Sequence, residues 1–146
     1  VPNSKIPVAV QKLVKRRAKG YCEYCLAPFG FSPDTFQFDH ILPKSKGGTT
    51  TPDNLAWADG GCNGFKYNKL NHIDPLTQAS TRLYHPRVDT WQDHFQWSED
   101  ETMIIGTTPI GRATVDLLKV NRMGNINLRK LLVSVGLHPP QDYPTK

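Results

Sequence analysis

The chain has 146 residues, 38% of them hydrophobic and 21% charged, with 11 Gly, 12 Pro and 3 Cys, which suits one domain with one modest core and leaves no room for a second large one. No stretch approaches the roughly 18 apolar residues of a membrane span. In the opening VPNSKIPVAVQKLVKRR the basic cluster follows the apolar residues, the reverse of a secretory signal, so a soluble chain is expected. Eighteen Lys+Arg against 13 Asp+Glu give +5 and a pI near 9.2, a balance that favours a polyanionic partner without choosing among nucleic acid, acidic protein and membrane surface.

No repeat, low-complexity tract or Gly/Ser linker divides the sequence, so a single domain over 1–146 is expected. Over 7–18, Val10, Leu13, Val14 and Ala18 recur at helical spacing, with Pro7 as a start and Gly20 as a stop. Residues 35–40, TFQFDH, read as a short strand running into a loop that carries KSKGG and TTTPDN. A short helix is expected over 62–70, after Gly60-Gly61, although Gly64 weakens it. In the second half, 91–106 places two apolar runs either side of an acidic turn at 98–101 and reads as a hairpin. Thr108-Pro109 starts a helix with Ile110, Ala113, Leu117 and Leu118 on one face. Leu128, Leu131, Leu132 and Val135 repeat the pattern until Gly136 and Pro139-Pro140 stop it. The class is α+β, with a small sheet and helices at both ends.

Three cysteines cannot form a fully paired disulfide framework. Cys22 and Cys25, two residues apart, are half of a tetrahedral Zn²⁺ site, and the spacing favours a reducing, intracellular setting. The second half of the site is offered by Asp59-Gly-Gly-Cys62, which keeps the spacing but begins with a carboxylate. A Cys₃Asp site is chemically sound because carboxylate oxygen also ligates zinc. A redox CxxC and a lapsed site whose cysteines are merely buried are the alternatives. Asp39-His40 closes the expected strand, where strict alternation points the two side chains to opposite faces. Each residue alone reads as a packed or turn-forming side chain. Their company is more specific: DHILPKSKGG, then Asn54 in DNLA, then Asn63 in CNGFK.

This ordered set resembles the HNH endonuclease family, whose ββα-metal finger is usually braced by a CxxC…CxxC zinc site. The similarity covers roughly residues 10–132. RRAKGYCEYC matches the entry to the knuckle, and DPLT, HPRVDTWQDHFQW and GTTPIGRATVDLLKVNR look like a small stand-alone bacterial subgroup. The resemblance implies an α+β fold with a finger near 36–70, an N-terminal helix, the CxxC knuckle and an accessory hairpin-and-helix region near 80–136. It further implies hydrolysis of double-stranded DNA to 5′-phosphate and 3′-hydroxyl ends in a cytoplasmic, prokaryotic or phage-like setting, with no membrane partner and no small-molecule cofactor. Asn54 is implied to hold the loop that orients His40. Two departures stand out: Asp59 replaces the first cysteine of the second knuckle, and Asn63 takes the place that many members give to a final His.

Phosphodiester hydrolysis needs an activated water, a cation on the scissile phosphate and a way to stabilise the leaving oxygen. His40 has the pKa range of a general base. Asp39 and Asn63 offer the hard oxygens that suit Mg²⁺ or Mn²⁺. Lys44, Lys46, Lys66 and Lys69 surround this unit as candidate DNA contacts or as ordinary solvated lysines. Arg87 and Arg112 are candidate phosphate clamps, the plain alternative being that each pairs with an acid and braces the fold. Trp91, Phe95 and Trp97 read as core of the second half rather than as a base-stacking surface. Two rival functions remain: a nucleic-acid-binding module that kept the finger without turnover, and a nuclease directed at RNA.

Overall fold

The first apolar repeat folds as helix α1 (Val8–Arg17), preceded by Pro7 and closed where Lys19 (φ 55°) and Gly20 (φ 82°) enter the left-handed region. Val14 and Ala18 are fully buried, but Leu13, expected beside them, is 39% exposed. The core side of the helix is thus the narrower line Val10, Val14, Ala18, because α1 lies over a sheet of only two strands. The Arg17 guanidinium donates to the carbonyls of Pro52 and of Leu55, the latter at 2.6 Å, and ties the end of α1 to the start of the second strand.

The computed structural model describes residues 6–143; residues 1–5, part of the opening stretch read against a secretory signal, lie outside the described residues. These residues form two compact units, one ending at Lys69 and the other beginning at Leu70. Both mix helix and strand, so the class is α+β.

In the first unit β1 (Phe36–His40) pairs antiparallel with β2 (Leu55–Asp59), in a register running from Phe36 opposite Asp59 to His40 opposite Leu55. Every residue of β2 is buried. Trp57 centres the core, its ring 4.9 Å from Phe38, 5.4 Å from Phe36 and 6.0 Å from Phe29. Ile6, Val14, Ala18 and Leu55 complete it. Helix α2 (Gly60–Lys66) follows β2 without a loop. It begins two residues before the expected start, because the Asp59 carboxylate caps it by accepting from Cys62 N at 2.7 Å, and it ends at Tyr67 (φ 49°).

The second unit opens on a small hairpin that sequence periodicity did not signal, β3 (Asn71–Ile73) against β4 (Ser80–Arg82). The expected hairpin over 91–106 is present in shortened form. Residues Trp91–His94 make one helical turn, α3, and the strands are β5 (Phe95–Trp97) and β6 (Ile104–Gly106). Trp91 and Phe95 are buried with rings 5.1 Å apart, so these aromatics are core. Helix α4 (Pro109–Leu118) has Thr108 as its cap, accepting from Gly111 N at 3.0 Å. Gly111 is dictated by close approach: a Cβ there would fall 2.0 Å from the His94 carbonyl oxygen.

Helix α5 (Met123–Ser134) is rotated from the expected face, with Asn125, Arg129 and Leu132 buried while Leu131 is 63% and Val135 60% exposed. The cause is Arg129. Its guanidinium donates to the carbonyls of Thr102 (2.9 Å) and Val120 (2.7 Å), which makes a polar side chain the better neighbour on that stripe. Among the described residues no helix is long and apolar enough to cross a membrane.

Arg112 takes the plainer of its two expected roles: it is bound in a fork to the buried Asp74 carboxylate, Nε to Oδ1 at 2.9 Å and Nη2 to Oδ2 at 3.0 Å, and so braces the second unit. Arg112→Ala is expected to lower the thermal midpoint and to leave the salt dependence of duplex binding unchanged, as checked by a melt and a salt titration.

Candidate active site and metal centre

A tight turn after α1 carries the first pair of metal-ligand candidates: Cys22 N donates to the Ala27 carbonyl (2.9 Å) and Leu26 N to that of Cys22 (2.8 Å), with Leu26 left-handed. Glu23 docks this turn on β2, since its N–H reaches the Trp57 carbonyl and its Oε2 accepts from Trp57 N, both at 2.8 Å. Asp59 ends β2 and Cys62 lies in the first turn of α2. The ligand atoms of Cys22, Cys25, Asp59 and Cys62 all lie within 4.8 Å of one another, and all four residues are buried. Asp59 Oδ2 is 2.9 Å from Cys25 Sγ.

Burial is the main cause that holds the Cys22 thiol well above its usual range; for Cys62 it is first the contacts with the two other cysteines, then burial. Three thiols and one carboxylate converging on one point form a donor set that fits a tetrahedral ion such as Zn²⁺, and a carboxylate buried among them is costly without a cation. Ion binding there would release the thiol protons.

The second candidate site lies where β1 meets α2. Asp39 and His40 do point apart. The Asp39 carboxylate, 3% exposed, accepts from the Tyr24 hydroxyl at 2.6 Å and from the Lys66 ammonium at 3.2 Å. Burial pushes its carboxyl above the usual range, while Lys66 and Tyr24 act the other way. Lys66 also donates to the carbonyls of His40 (3.3 Å) and Ile41 (3.1 Å). Lys66 is therefore buried and internally paired, which corrects its reading as a surface DNA contact. Lys44, Lys46 and Lys69 are exposed as expected.

His40 is partly exposed, with Nε2 2.9 Å from the Thr50 hydroxyl. Desolvation and the nearby Lys44 and Lys66 hold its pKa below the usual 6.5, against the opposing pull of Asp39. The loop between the strands is clamped by Asn54, whose Oδ1 accepts from Leu42 N (2.8 Å) and whose Nδ2 donates to the carbonyls of Leu42 (3.0 Å) and Thr49 (2.8 Å). Gly48 permits that clamp, because a Cβ there would lie 1.7 Å from the Leu42 carbonyl oxygen and 2.9 Å from Asn54 Nδ2. Asn63 donates its amide N–H to Gln37 Oε1, a bond that occupies its nitrogen and leaves the oxygen as the end with affinity for a hard cation.

The oxygens of Asp39, His40 and Ile41 that surround one ammonium group show that this position accepts a cation. The expected residues thus fall in two places. Asp39, Asn63 and Lys66 line the join of β1 and α2, and His40 and Asn54 belong to the strand end and loop. Arg87 lies in the second unit, half-buried, with its backbone N–H donating to His85 Nδ1 at 3.1 Å. Sequence reasoning missed Tyr24, Gln37 and Thr50 as partners. One signal was available: Gln37 and Asp39 alternate onto one face of β1, and Asn63 and Lys66 share one face of α2 at i, i+3.

The HNH endonuclease family model matches residues 22–69, from the first cysteine to the last residue of the first unit, and this match supports assignment of the segment to that family. The match points to nuclease chemistry in general terms. No curated protein and no solved structure matches the chain.

Proposed function

We propose that the protein is a metal-dependent endonuclease that hydrolyses double-stranded DNA to 5′-phosphate and 3′-hydroxyl ends, with His40 as general base. The observation that carries this reading is the setting of His40: an imidazole biased to its neutral form, fixed through Nε2 by Thr50, at the end of a strand whose neighbouring residues accept a cation. With Nε2 engaged, Nδ1 is the nitrogen that takes the proton from the attacking water. Asp39 and Asn63 would hold Mg²⁺ or Mn²⁺, which supplies positive charge at the scissile phosphate and at the leaving oxygen. Asn54 keeps the loop, and with it the His40 ring, in place. Zn²⁺ on Cys22, Cys25, Asp59 and Cys62 braces the knuckle against the finger in a reducing, cytoplasmic setting.

Supercoiled plasmid incubated with Mg²⁺ or Mn²⁺, against a chelator control, tests the activity. The same plasmid intact, with the duplex still bound, would indicate a non-catalytic module, and cleavage of RNA alone would redirect the substrate. The base must be neutral to work, so the acid limb of kcat/KM is expected below the usual histidine pKa of 6.5. The sign for stability is the same. Below 6.5 the unfolded chain binds more protons at His40 than the folded one, so stability rises with pH through the window between the folded pKa and 6.5. A pH–rate profile with its acid limb above 6.5 would remove His40 from this role.

Lys44 and Lys46 are exposed in the short turn that follows His40 and are read here as phosphate contacts. Affinity for a non-specific duplex is expected to fall with salt, and Lys44→Ala or Lys46→Ala to flatten the log–log slope by about 0.9 for each phosphate no longer neutralised. Unchanged slopes in both variants would place the DNA elsewhere.

A further inference from the structure

Lys66, the last residue of α2, is only 2% exposed. A buried ammonium is tolerated where each of its donors finds an oxygen, and Lys66 meets that condition with Asp39 at 3.2 Å, the His40 carbonyl at 3.3 Å and the Ile41 carbonyl at 3.1 Å. All three partners are hard oxygens from the end of β1, the kind of donor that Mg²⁺ and Mn²⁺ take. Asn63 lies three residues before Lys66 on the same helix and is held by Gln37, two residues before Asp39 on the same strand. The ammonium therefore sits on Asp39, one of the two side chains that the reading above gives to a divalent ion.

We propose that Lys66 is a resident counter-cation of this site: it neutralises Asp39 in the metal-free chain, and a divalent ion gains the Asp39 carboxylate only by displacing it. The inference rests on the reading of Asp39 as a metal ligand. A monovalent and a divalent cation on one carboxylate repel each other, and the four-carbon stem of lysine lets the ammonium swing away without unwinding the helix. Lys66 thus sets how tightly the free chain holds its metal. A residue that merely braces the fold would not do so.

The test is Mn²⁺ affinity, read by the electron paramagnetic resonance of free Mn²⁺, on the whole chain with one equivalent of Zn²⁺ present throughout. Lys66→Met and Lys66→Gln are expected to bind Mn²⁺ at least tenfold more tightly than the wild type, Lys66→Arg no more tightly, and Lys66→Met combined with Asp39→Asn to lose the gain. A second measurement needs no variant. In the wild type, acetylation of Lys66 followed by peptide mass spectrometry is expected to be at least tenfold faster at saturating Mn²⁺ than without it, and this decides the matter if the Lys66 variants fail to fold.

Unchanged Mn²⁺ affinity in a folded Lys66→Met or Lys66→Gln chain, or equal acetylation of Lys66 with and without Mn²⁺, would overturn the proposal. In that event Asp39→Asn alone separates the two failures. Weakened Mn²⁺ binding would keep Asp39 as a ligand and reject only the displacement, and unaltered binding would reject the ligand assignment itself.

Discussion

His40→Ala is expected to lower plasmid cleavage by about 10²-fold or more while leaving duplex affinity within a few-fold, because it removes the group that takes the proton from water and no phosphate contact. The geometry makes this separation clean. His40 is only partly buried, its side-chain bond runs to a threonine hydroxyl, and the core of the first unit is made by Trp57 and its neighbours. Loss of the ring therefore leaves the hairpin intact, and a melt of the variant should lie close to that of the wild type. Single-turnover cleavage at saturating protein isolates the chemical step from binding. Equal losses of affinity and of rate would mean that His40 touches DNA, and an undiminished rate would reject it as the base. Thr50→Val offers a finer reading, since it keeps the shape of the residue but removes the hydroxyl that fixes Nε2. Its effect should be smaller than that of His40→Ala and should fall on the rate.

The helices that the sequence revealed, α1 and α4, are those whose burial follows a period, and their caps and stops, Pro7, Gly20 and Thr108, are local chemistry. The strand ending in Asp39-His40 was legible from its Thr and Phe content instead, since Phe38 and Asp39 are buried on opposite faces. β2 escaped because LAWAD is buried at every position and so carries no alternation. β3 and β4 escaped for the opposite reason: Asn71–Ile73 and Ser80–Arg82 are short and bury no residue fully, so they offer no apolar face to read. In α5 the period was present but the wrong stripe was chosen, because a buried arginine with backbone carbonyls to bind takes the place of an apolar residue.

The same distinction governs the site. The four residues of the candidate metal centre announce themselves by spacing. The contacts that determine the state of Asp39 come from Tyr24 and Lys66, 15 and 27 residues away, and no local pattern encodes them. A lysine on a short helix reads as a solvated charge until the fold shows what it covers.

Purified protein is expected to carry close to one zinc per chain, and the decisive residue is Asp59, which has two tasks on two oxygens. Oδ1 caps α2 through Cys62 N at 2.7 Å, and Oδ2 lies 2.9 Å from Cys25 Sγ among the candidate ligands. The two tasks can be separated by substitution. Serine caps a helix nearly as well as aspartate but lacks the carboxylate, whereas alanine loses both functions. In a strong chelator, Asp59→Ser should melt near the wild type, and Asp59→Ala should be less stable by about 1 kcal/mol, the usual cost of a lost cap. With zinc present at about a thousand times its Kd, the wild type gains about 4 kcal/mol from the ion. Both variants should forfeit much of that gain, because each leaves only the three cysteines as protein ligands. Asp59→Cys would restore a fourth strong ligand at the expense of the cap, so its zinc-dependent gain should be larger than that of the wild type while its metal-free stability is lower. If Asp59→Ser keeps the whole zinc increment, the carboxylate is a cap alone and the ion rests on Cys22, Cys25 and Cys62. A wild-type zinc content well below one per chain would instead retire the Cys₃Asp site and leave the knuckle joined to the finger by the Glu23–Trp57 hydrogen bonds and the buried packing around them.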